Sequence, residues 1–259
     1  MPFTTLQLDP GPPIATITLA RPEKRNAINP QMIDDLLAAL DSIGAGSARL
    51  AILTGAGKAF CAGMDLEALR AVSTQTPEQN LAESRRVAQL FRRLWEFPKV
   101  LIAAVNGAAI AGGCGLATMA DFTLAVPEAT FGYTEVRIGF LPAIVSVFLR
   151  RQVGDKIARD LLLTGRLFSA QEAHRLGLVS QIVPADSLLA RAHELATTLL
   201  ANSPSSLLAT KKLLRDSQEP GIDREISQAI EVHSAVRATG EFREGIAAFL
   251  EKRAPRWGA

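Results

Sequence analysis

The chain has 259 residues, a net charge of +2 and 48% hydrophobic residues, a size and composition that suit one large α/β domain. Its lysines and arginines are scattered rather than gathered in a basic stripe, which argues against a nucleic-acid partner. No apolar run approaches about 18 residues, so we expect no membrane span. Two cysteines cannot form a disulfide framework, and the N-terminus lacks a signal-peptide pattern, so we expect a reduced, cytoplasmic location.

The first half of the chain repeats a strand, a glycine-containing turn and a helix. Ile14–Leu19 alternates in polarity and predicts a strand, and Pro30 opens a predicted helix with an apolar stripe. Residues 49–54 and 100–105 are apolar runs typical of strands buried in a sheet. A helix is predicted between them, after a polar loop at residues 73–78, and another strand at residues 122–126. This recurrence favours an α/β fold.

The second half of the chain is mainly helical. Predicted helices span residues 156–163, 170–176, 185–201, 207–216, 224–239 and 240–253. Ser169 and Ser205 resemble helix N-caps, and residues 178–183 repeat the strand pattern once. We therefore expect a core of residues 1–200 and a C-terminal helical segment of the same domain at residues 201–259.

Three segments carry residue types suited to catalysis: residues 58–65, 106–116 and 131–139. In the second, a helix is predicted to begin near Gly112, where unpaired backbone N–H groups favour negative charge and glycines let a ligand approach. The alternative is a tight turn that packs a helix against a strand.

In the third segment, Glu135 would have a raised pKa in an apolar pocket, which suits proton exchange near neutral pH. The alternative is an exposed loop carboxylate.

These segments resemble the signature segments of the crotonase superfamily, the enoyl-CoA hydratases and isomerases. The resemblance runs in order from Arg21-Pro-Glu-Lys-Arg-Asn-Ala27 to the helix around residues 244–253, and so covers essentially the whole chain. It implies a crotonase-like α/β spiral of repeated ββα units closed by C-terminal helices. Such proteins usually assemble as homotrimers or dimers of trimers. The implied substrate is an acyl-CoA thioester, with no metal and no further cofactor, because coenzyme A is part of the substrate.

The resemblance also implies roles for single residues. The backbone N–H groups of Met64 and Gly112 would form an oxyanion hole for the thioester oxygen, and Glu135 matches the family's proton-transferring glutamate. The substrate and coenzyme A path would be lined by Lys24, Arg25, Ala27, Ala62, Asp65, Leu66 and Gly113. Phe249 and Lys252 match residues that reach a coenzyme A in a neighbouring arrangement. For Lys252, a solvated cation near a helix C-terminus is the simpler interpretation.

One position departs from the family pattern. Hydratases with two glutamates carry the first one twenty residues before the second, and here that position is Gly115. A Δ3,Δ2-enoyl-CoA isomerase needs only one base, whereas a single-glutamate hydratase would use Glu135 for both the water and the α-carbon. Residues 135–146 resemble bacterial hydratases of branched-chain acyl-CoA breakdown, such as the methylglutaconyl-CoA hydratases, which favours hydration. A non-catalytic acyl-CoA-binding relative is a third hypothesis, which the presence of Glu135 and both oxyanion segments disfavours.

The sequence predicts neither a nucleophilic cysteine nor a histidine metal site. Cys114 lies in the glycine-rich segment, but no histidine is near it in sequence, so we expect it and Cys61 to be small apolar core residues. His174, His193 and His233 are spaced too widely to indicate a metal site.

Overall fold

The computed structural model describes residues 3–72 and 75–258; the side chain of Leu66 lies outside the description. The strands are β1 (Leu6–Asp9), β2 (Ile14–Leu19), β3 (Leu50–Gly55), β4 (Ala59–Cys61), β5 (Val100–Val105), β6 (Ala108–Ile110), β7 (Phe122–Ala125), β8 (Thr130–Gly132), β9 (Leu167–Ser169) and β10 (Gln181–Ile182). The helices are α1 (Pro30–Ala45), α2 (Leu66–Val72), α3 (Pro77–Trp95), α4 (Gly112–Thr118), α5 (Ala143–Thr164), α6 (Ala170–Arg175), α7 (Leu188–Leu200), α8 (Pro204–Asp216), α9 (Ile222–Val236) and α10 (Gly240–Leu250). Short 3-10 helices span Pro22–Lys24, Glu135–Ile138 and Ala185–Ser187.

Two sheets alternate along the chain. The larger has the order β1-β2-β3-β5-β7-β10 and is parallel except for the β1–β2 pair. The smaller has the order β4-β6-β8-β9 and is parallel except for the β8–β9 pair. Strands β3, β5 and β7 lie in the larger sheet, and the strand that follows each lies in the smaller one, so the chain turns in repeated ββα units. This confirms the predicted crotonase-like α/β fold.

The core lies between the larger sheet and the helices that cover it. Every residue of β3 and β5 is buried, as the continuous apolar runs predicted. Helix α1 begins where predicted: Asn29 accepts a hydrogen bond from the Met32 N–H at 2.9 Å, and Pro30 takes the first helical position. No helix in the described parts of the chain is long and apolar enough to cross a bilayer.

The C-terminal helices form where predicted, with shifted ends. The helix predicted at residues 156–163 is the second half of α5, which bends at Gly154, where φ is +77°. Ser169 caps α6, as predicted. The Ser205 prediction was wrong: the hydroxyl that caps α8 belongs to Ser203, because the proline after it is pre-set for the first helical position.

The smaller sheet was missing from the sequence analysis, and it brings the three candidate segments together. Its strands each have three residues, too few to show alternation. Strand β4 pairs with β6, and β6 pairs with β8. Residues 58–65 and 106–116 contain β4 and β6, and residues 131–139 begin inside β8. The catalytic candidates of the three segments therefore meet along one sheet edge.

Candidate active site

A cavity of about 570 Å³ opens beside the smaller sheet. Met64, Gly112 and Glu135 all line it. Apolar side chains form much of the remaining wall: Ile33, Val87, Leu90, Phe91, Ile110, Ile138, Phe140, Leu141, Ile144 and Val145. Of the other predicted binding residues, those that line the cavity are Lys24, Arg25, Ala27, Ala62, Asp65 and Phe249. Gly113 and Lys252 are not in its wall.

The segments that carry the Met64 and Gly112 N–H groups are packed against each other. A Cβ at Gly63, where φ is +88°, would lie 3.0 Å from the last carbonyl oxygen of β6, and one at Gly113 would lie 2.3 Å from the Cys61 carbonyl oxygen. Only glycine allows these approaches. Within the described residues, the N–H groups of Met64 and Gly112 donate to no other protein group. The cavity wall thus presents two free backbone donors from adjoining segments.

The turn before α4 is conformationally strained. Ala111 has φ +51° and ψ −124°, a combination that costs about 1–3 kcal/mol for a residue with a Cβ. Its N–H donates to the Gly132 carbonyl oxygen at 2.7 Å, which ties the turn to β8. The result is that Gly112 becomes the first residue of α4, where a backbone N–H has no partner within the helix.

Glu135 is a buried acid of the cavity wall. It is 9% exposed, and its Oε2 atom has no hydrogen-bond partner among the described residues. Burial, opposed by a hydrogen bond from its own backbone N–H, raises the pKa of this carboxyl to about 7. The group can therefore both take up and release a proton near neutral pH.

Helix α10 holds the Glu135 segment through two close backbone contacts. A Cβ at Gly245 would lie 2.2 Å from the Ile138 carbonyl oxygen. A Cβ at Gly139, where φ is +64°, would lie 2.4 Å from the Glu241 carbonyl oxygen. Both positions require glycine, and their contacts fix the short 3-10 helix that begins at Glu135.

Replacing Gly245 with alanine is expected to lower the free energy of unfolding by about 1–3 kcal/mol, because an added methyl in a filled contact forces a backbone shift. The matched control is Gly240→Ala on the same helix, since a Cβ at Gly240 meets nothing within 4 Å. Urea titrations of the two variants measure the difference. Equal stabilities would show that the α10 contact does not constrain the Glu135 segment.

Apolar side chains fill the space beside Gly115, the position at which hydratases with two glutamates carry the first one. A Cβ at Gly115 would lie 2.7 Å from Cε1 of Phe91 and 2.7 Å from Cγ1 of Val145. Asp121, the nearest other carboxylate in sequence, accepts a hydrogen bond at 2.8 Å from a backbone N–H of β5 and pairs with Lys211 at 2.6 Å. It anchors a turn, as expected, and does not line the cavity.

Asp65 lines the cavity, but its carboxylate is engaged by protein groups. It pairs with Arg21 at 2.8 Å and accepts from the Glu67 N–H at 2.8 Å. Burial alone would raise its pKa, but these contacts hold that pKa below the ordinary value. Lys24 and Arg25 also line the cavity, and Lys24 pairs with the exposed Glu67 at 3.0 Å. The arrangement places cationic side chains in the cavity wall beside an already neutralised Asp65.

His233 is a cavity residue that the sequence analysis weighed only as a metal ligand. Its side chain is buried, and its Nδ1 lies 2.8 Å from Ser84 Oγ. Burial, with the Arg237 charge nearby, lowers its pKa to about 3, so the imidazole is neutral. No local motif marks this residue, because it reaches the cavity only through the packing of α9 on α3.

Cys61 and Cys114 are buried free thiols. Burial raises the pKa of each to about 12. A thiol with such a pKa is protonated at neutral pH and is a poor nucleophile. This agrees with the apolar packing role expected from the sequence.

Comparison with known proteins identifies the family. The model of the enoyl-CoA hydratase/isomerase family matches residues 11–259. A Thermus thermophilus protein provisionally named an enoyl-CoA hydratase is 46% identical over 94% of this chain and 97% of its own length. The 2,3-dehydroadipyl-CoA hydratase of Escherichia coli is 36% identical over 93% of this chain and 94% of its own. The crystal structure of an enoyl-CoA hydratase/isomerase from Xanthobacter autotrophicus superposes with a TM-score of 0.89 at 31% identity, covering 99% of this chain and 100% of that one. The chain therefore belongs to the enoyl-CoA hydratase/isomerase family.

Proposed function

We propose that the protein is an enoyl-CoA hydratase, which adds water across the 2,3-double bond of an acyl-CoA thioester. The observation that carries the proposal is the buried Glu135, with a free Oε2 and a pKa of about 7, in the same cavity as two unpaired backbone donors. The names of the similar proteins support hydration as the reaction class. The proposal requires no metal or separate cofactor, because coenzyme A arrives with the substrate.

The two backbone donors would stabilise the intermediate. When the water oxygen bonds to C3, the electrons of the double bond move toward C2 and the thioester, and an enolate forms with negative charge on the thioester oxygen. The N–H groups of Met64 and Gly112 would donate to that oxygen. A donor of this kind is worth about 3 kcal/mol of transition-state stabilisation, because it strengthens as the charge develops.

Glu135 would serve as both base and acid. Ionised, it accepts a proton from the water as the water oxygen bonds to C3. Protonated, it then returns a proton to C2, which completes the addition of one water and restores the carboxylate. A pKa near neutrality suits both halves of this cycle. A single carboxylate is sufficient, which agrees with the lack of space for a larger side chain at Gly115.

The cavity wall suggests how the coenzyme A portion is held. We assign the phosphates to Lys24 and Arg25, and the pantetheine path to the small residues Ala27 and Ala62, since all four line the cavity. The remaining assignments rest on family resemblance: Asp65, Leu66, Gly113, Phe249 and Lys252. For Leu66 the side chain lies outside the described structure, and Lys252 would act in an assembled oligomer.

A homotrimer, or a dimer of trimers, is the proposed assembly. Family resemblance supports it, together with exposed apolar residues beside a groove between α5 and α9. Leu163 is 72% exposed and Val232 is 44% exposed, and both line that groove. Subunit contact would remove such surfaces from water.

An assay with two substrates tests the proposal. With a trans-2-enoyl-CoA, the conjugated-thioester absorbance is expected to fall as water adds. With a 3-enoyl-CoA, no such absorbance is expected to appear. Appearance in the second arm alone would identify a Δ3,Δ2-enoyl-CoA isomerase. If the absorbance changes with neither substrate but acyl-CoA binds tightly, the protein is a non-catalytic binding protein.

A further inference from the structure

Arg237, the residue that follows α9, is a buried cation with an unused pair of donors. Its side chain is 0% exposed, and its Nη1 donates to Glu83 Oε2 at 2.7 Å. Its Nε and Nη2 atoms are buried without a hydrogen-bond partner among the described residues. Nε–H and the adjacent Nη2–H lie on one edge of the planar guanidinium, so they form the two-donor fork that matches a carboxylate.

The fork lies next to the wall of the active-site cavity. The Arg237 guanidinium carbon is 5.7 Å from the centre of the Phe140 ring, and the His233 ring is 4.6 Å from the same centre. Phe140 and His233 both line the cavity that holds Glu135. His233 and Arg237 are four residues apart in sequence and so share one side of α9. The cation thus lies against the Phe140 ring, which lines the cavity, and does not line the cavity itself.

His233 presents a free ring nitrogen beside this cation. Ser84 Oγ donates to the Asn80 carbonyl oxygen at 2.8 Å, so it accepts from His233 Nδ1–H at 2.8 Å. Nε2 then carries the lone pair, and within the described residues it has no hydrogen-bond partner. Burial beside the Arg237 charge keeps this ring neutral, so an anion bound at the cation would take its hydrogen bonds from the Arg237 fork.

The hydrogen bonds around the fork leave its two donors open to a further acceptor. Glu83 faces Arg237 from α3, but it is partly exposed and also accepts from Gln75 Nε2 at 2.7 Å. Glu83 supplies the counter-charge but accepts from only one N–H of the guanidinium, so the fork edge lacks hydrogen-bond acceptors. The two oxygens of a further carboxylate would supply them.

We propose that the acyl group of the substrate ends in a carboxylate, which the Arg237 fork binds at the wall formed by α9 and Phe140. This inference rests on the proposed acyl-CoA site. The Phe140 ring turns aside for the fork to engage both oxygens. The preferred substrates are then enoyl-CoA thioesters of dicarboxylic acids rather than of simple fatty acids.

Calorimetric binding of two saturated thioesters of equal chain length, adipyl-CoA and hexanoyl-CoA, tests the inference. The wild-type protein is expected to bind adipyl-CoA about tenfold or more tightly, since hydrogen bonds to charged groups contribute that much affinity. Arg237→Met is expected to abolish the preference, and Arg237→Lys to retain only part of it, because an ammonium lacks the fork. Arg224→Met, at an exposed position of the helix that precedes Arg237, is the matched control and is expected to retain the full preference.

Equal affinities in the wild-type protein would overturn the inference and assign the free donors to bound water. That comparison needs no variant, so it decides the matter even if Arg237→Met does not fold. Because neither thioester is turned over, the result is independent of the hydration assay. Hydration without a carboxylate preference would refute only the inference, and a preference without hydration would refute only the hydratase.

Discussion

Glu135→Gln is expected to lose about a hundredfold to ten-thousandfold in turnover while acyl-CoA binding persists, since glutamine fills the same space but cannot exchange a proton. In the wild-type protein, kcat/KM for hydration is expected to rise with pH as Glu135 loses its proton, with a midpoint at its pKa of about 7. That rise is expected to vanish in the variant. Initial rates across pH and calorimetric binding of a saturated acyl-CoA measure both effects.

The control for this variant is Glu128→Gln, which changes an exposed carboxylate in the turn before β8. It is expected to keep both the wild-type rate and the pH dependence. Full activity in Glu135→Gln, or a pH profile unchanged by it, would remove Glu135 from the mechanism. Loss of binding together with turnover would indicate damage to the cavity instead.

Glu135→Gln should also be more stable than the wild-type protein at alkaline pH. The folded-state pKa of about 7 lies above the ordinary value of 4.5, so the contribution of this carboxyl to stability is full below pH 4.5 and is lost as pH rises through about 7. Glutamine cannot ionise, so above that range the variant is expected to gain on the order of 3 kcal/mol in its free energy of unfolding. Urea titrations at acidic and alkaline pH measure this gain, which is expected to disappear in acid.

Gly115→Glu is expected to damage the enzyme rather than restore a site with two glutamates. Its Cβ would meet Phe91 and Val145 at 2.7 Å, and its carboxylate would be driven among apolar side chains. Overpacking costs about 1–3 kcal/mol, and a buried carboxylate without a partner costs more. Urea titrations are therefore expected to show a large loss of stability, and initial rates with a trans-2-enoyl-CoA a fall in hydration.

Gly115→Ala separates the two causes, because it adds the Cβ without the carboxylate. It is expected to be destabilised less than Gly115→Glu. Phe91→Ala combined with Gly115→Glu removes one of the two obstructing side chains, and part of the stability is expected to return. A faster hydration rate in Gly115→Glu alone would mean that the cavity rearranges to use a second carboxylate, contrary to the single-glutamate mechanism.

Local sequence patterns predicted the framework of the fold. The apolar runs that became β3 and β5, and the proline that opens α1, act through neighbouring residues, so they can be recognised without the tertiary structure. The candidate residues Met64, Gly112 and Glu135 were found because each lies in a short segment that resembles a family signature. The structure places all three in one cavity wall; their catalytic roles stay predictions.

The smaller sheet and the surroundings of the site depend on contacts between segments that are distant in sequence. The three-residue strands of the smaller sheet are too short to leave a periodic pattern, and they are stabilised by pairing across the chain. The space beside Gly115 is filled by side chains on α3 and α5, and His233 joins the cavity wall from α9, with Arg237 packed against the Phe140 ring. The sequence by itself indicated which residues are candidates for the chemistry. Only the tertiary structure decided their burial, their partners and their pKa values, because desolvation depends on everything packed around a group and not on its neighbours in sequence.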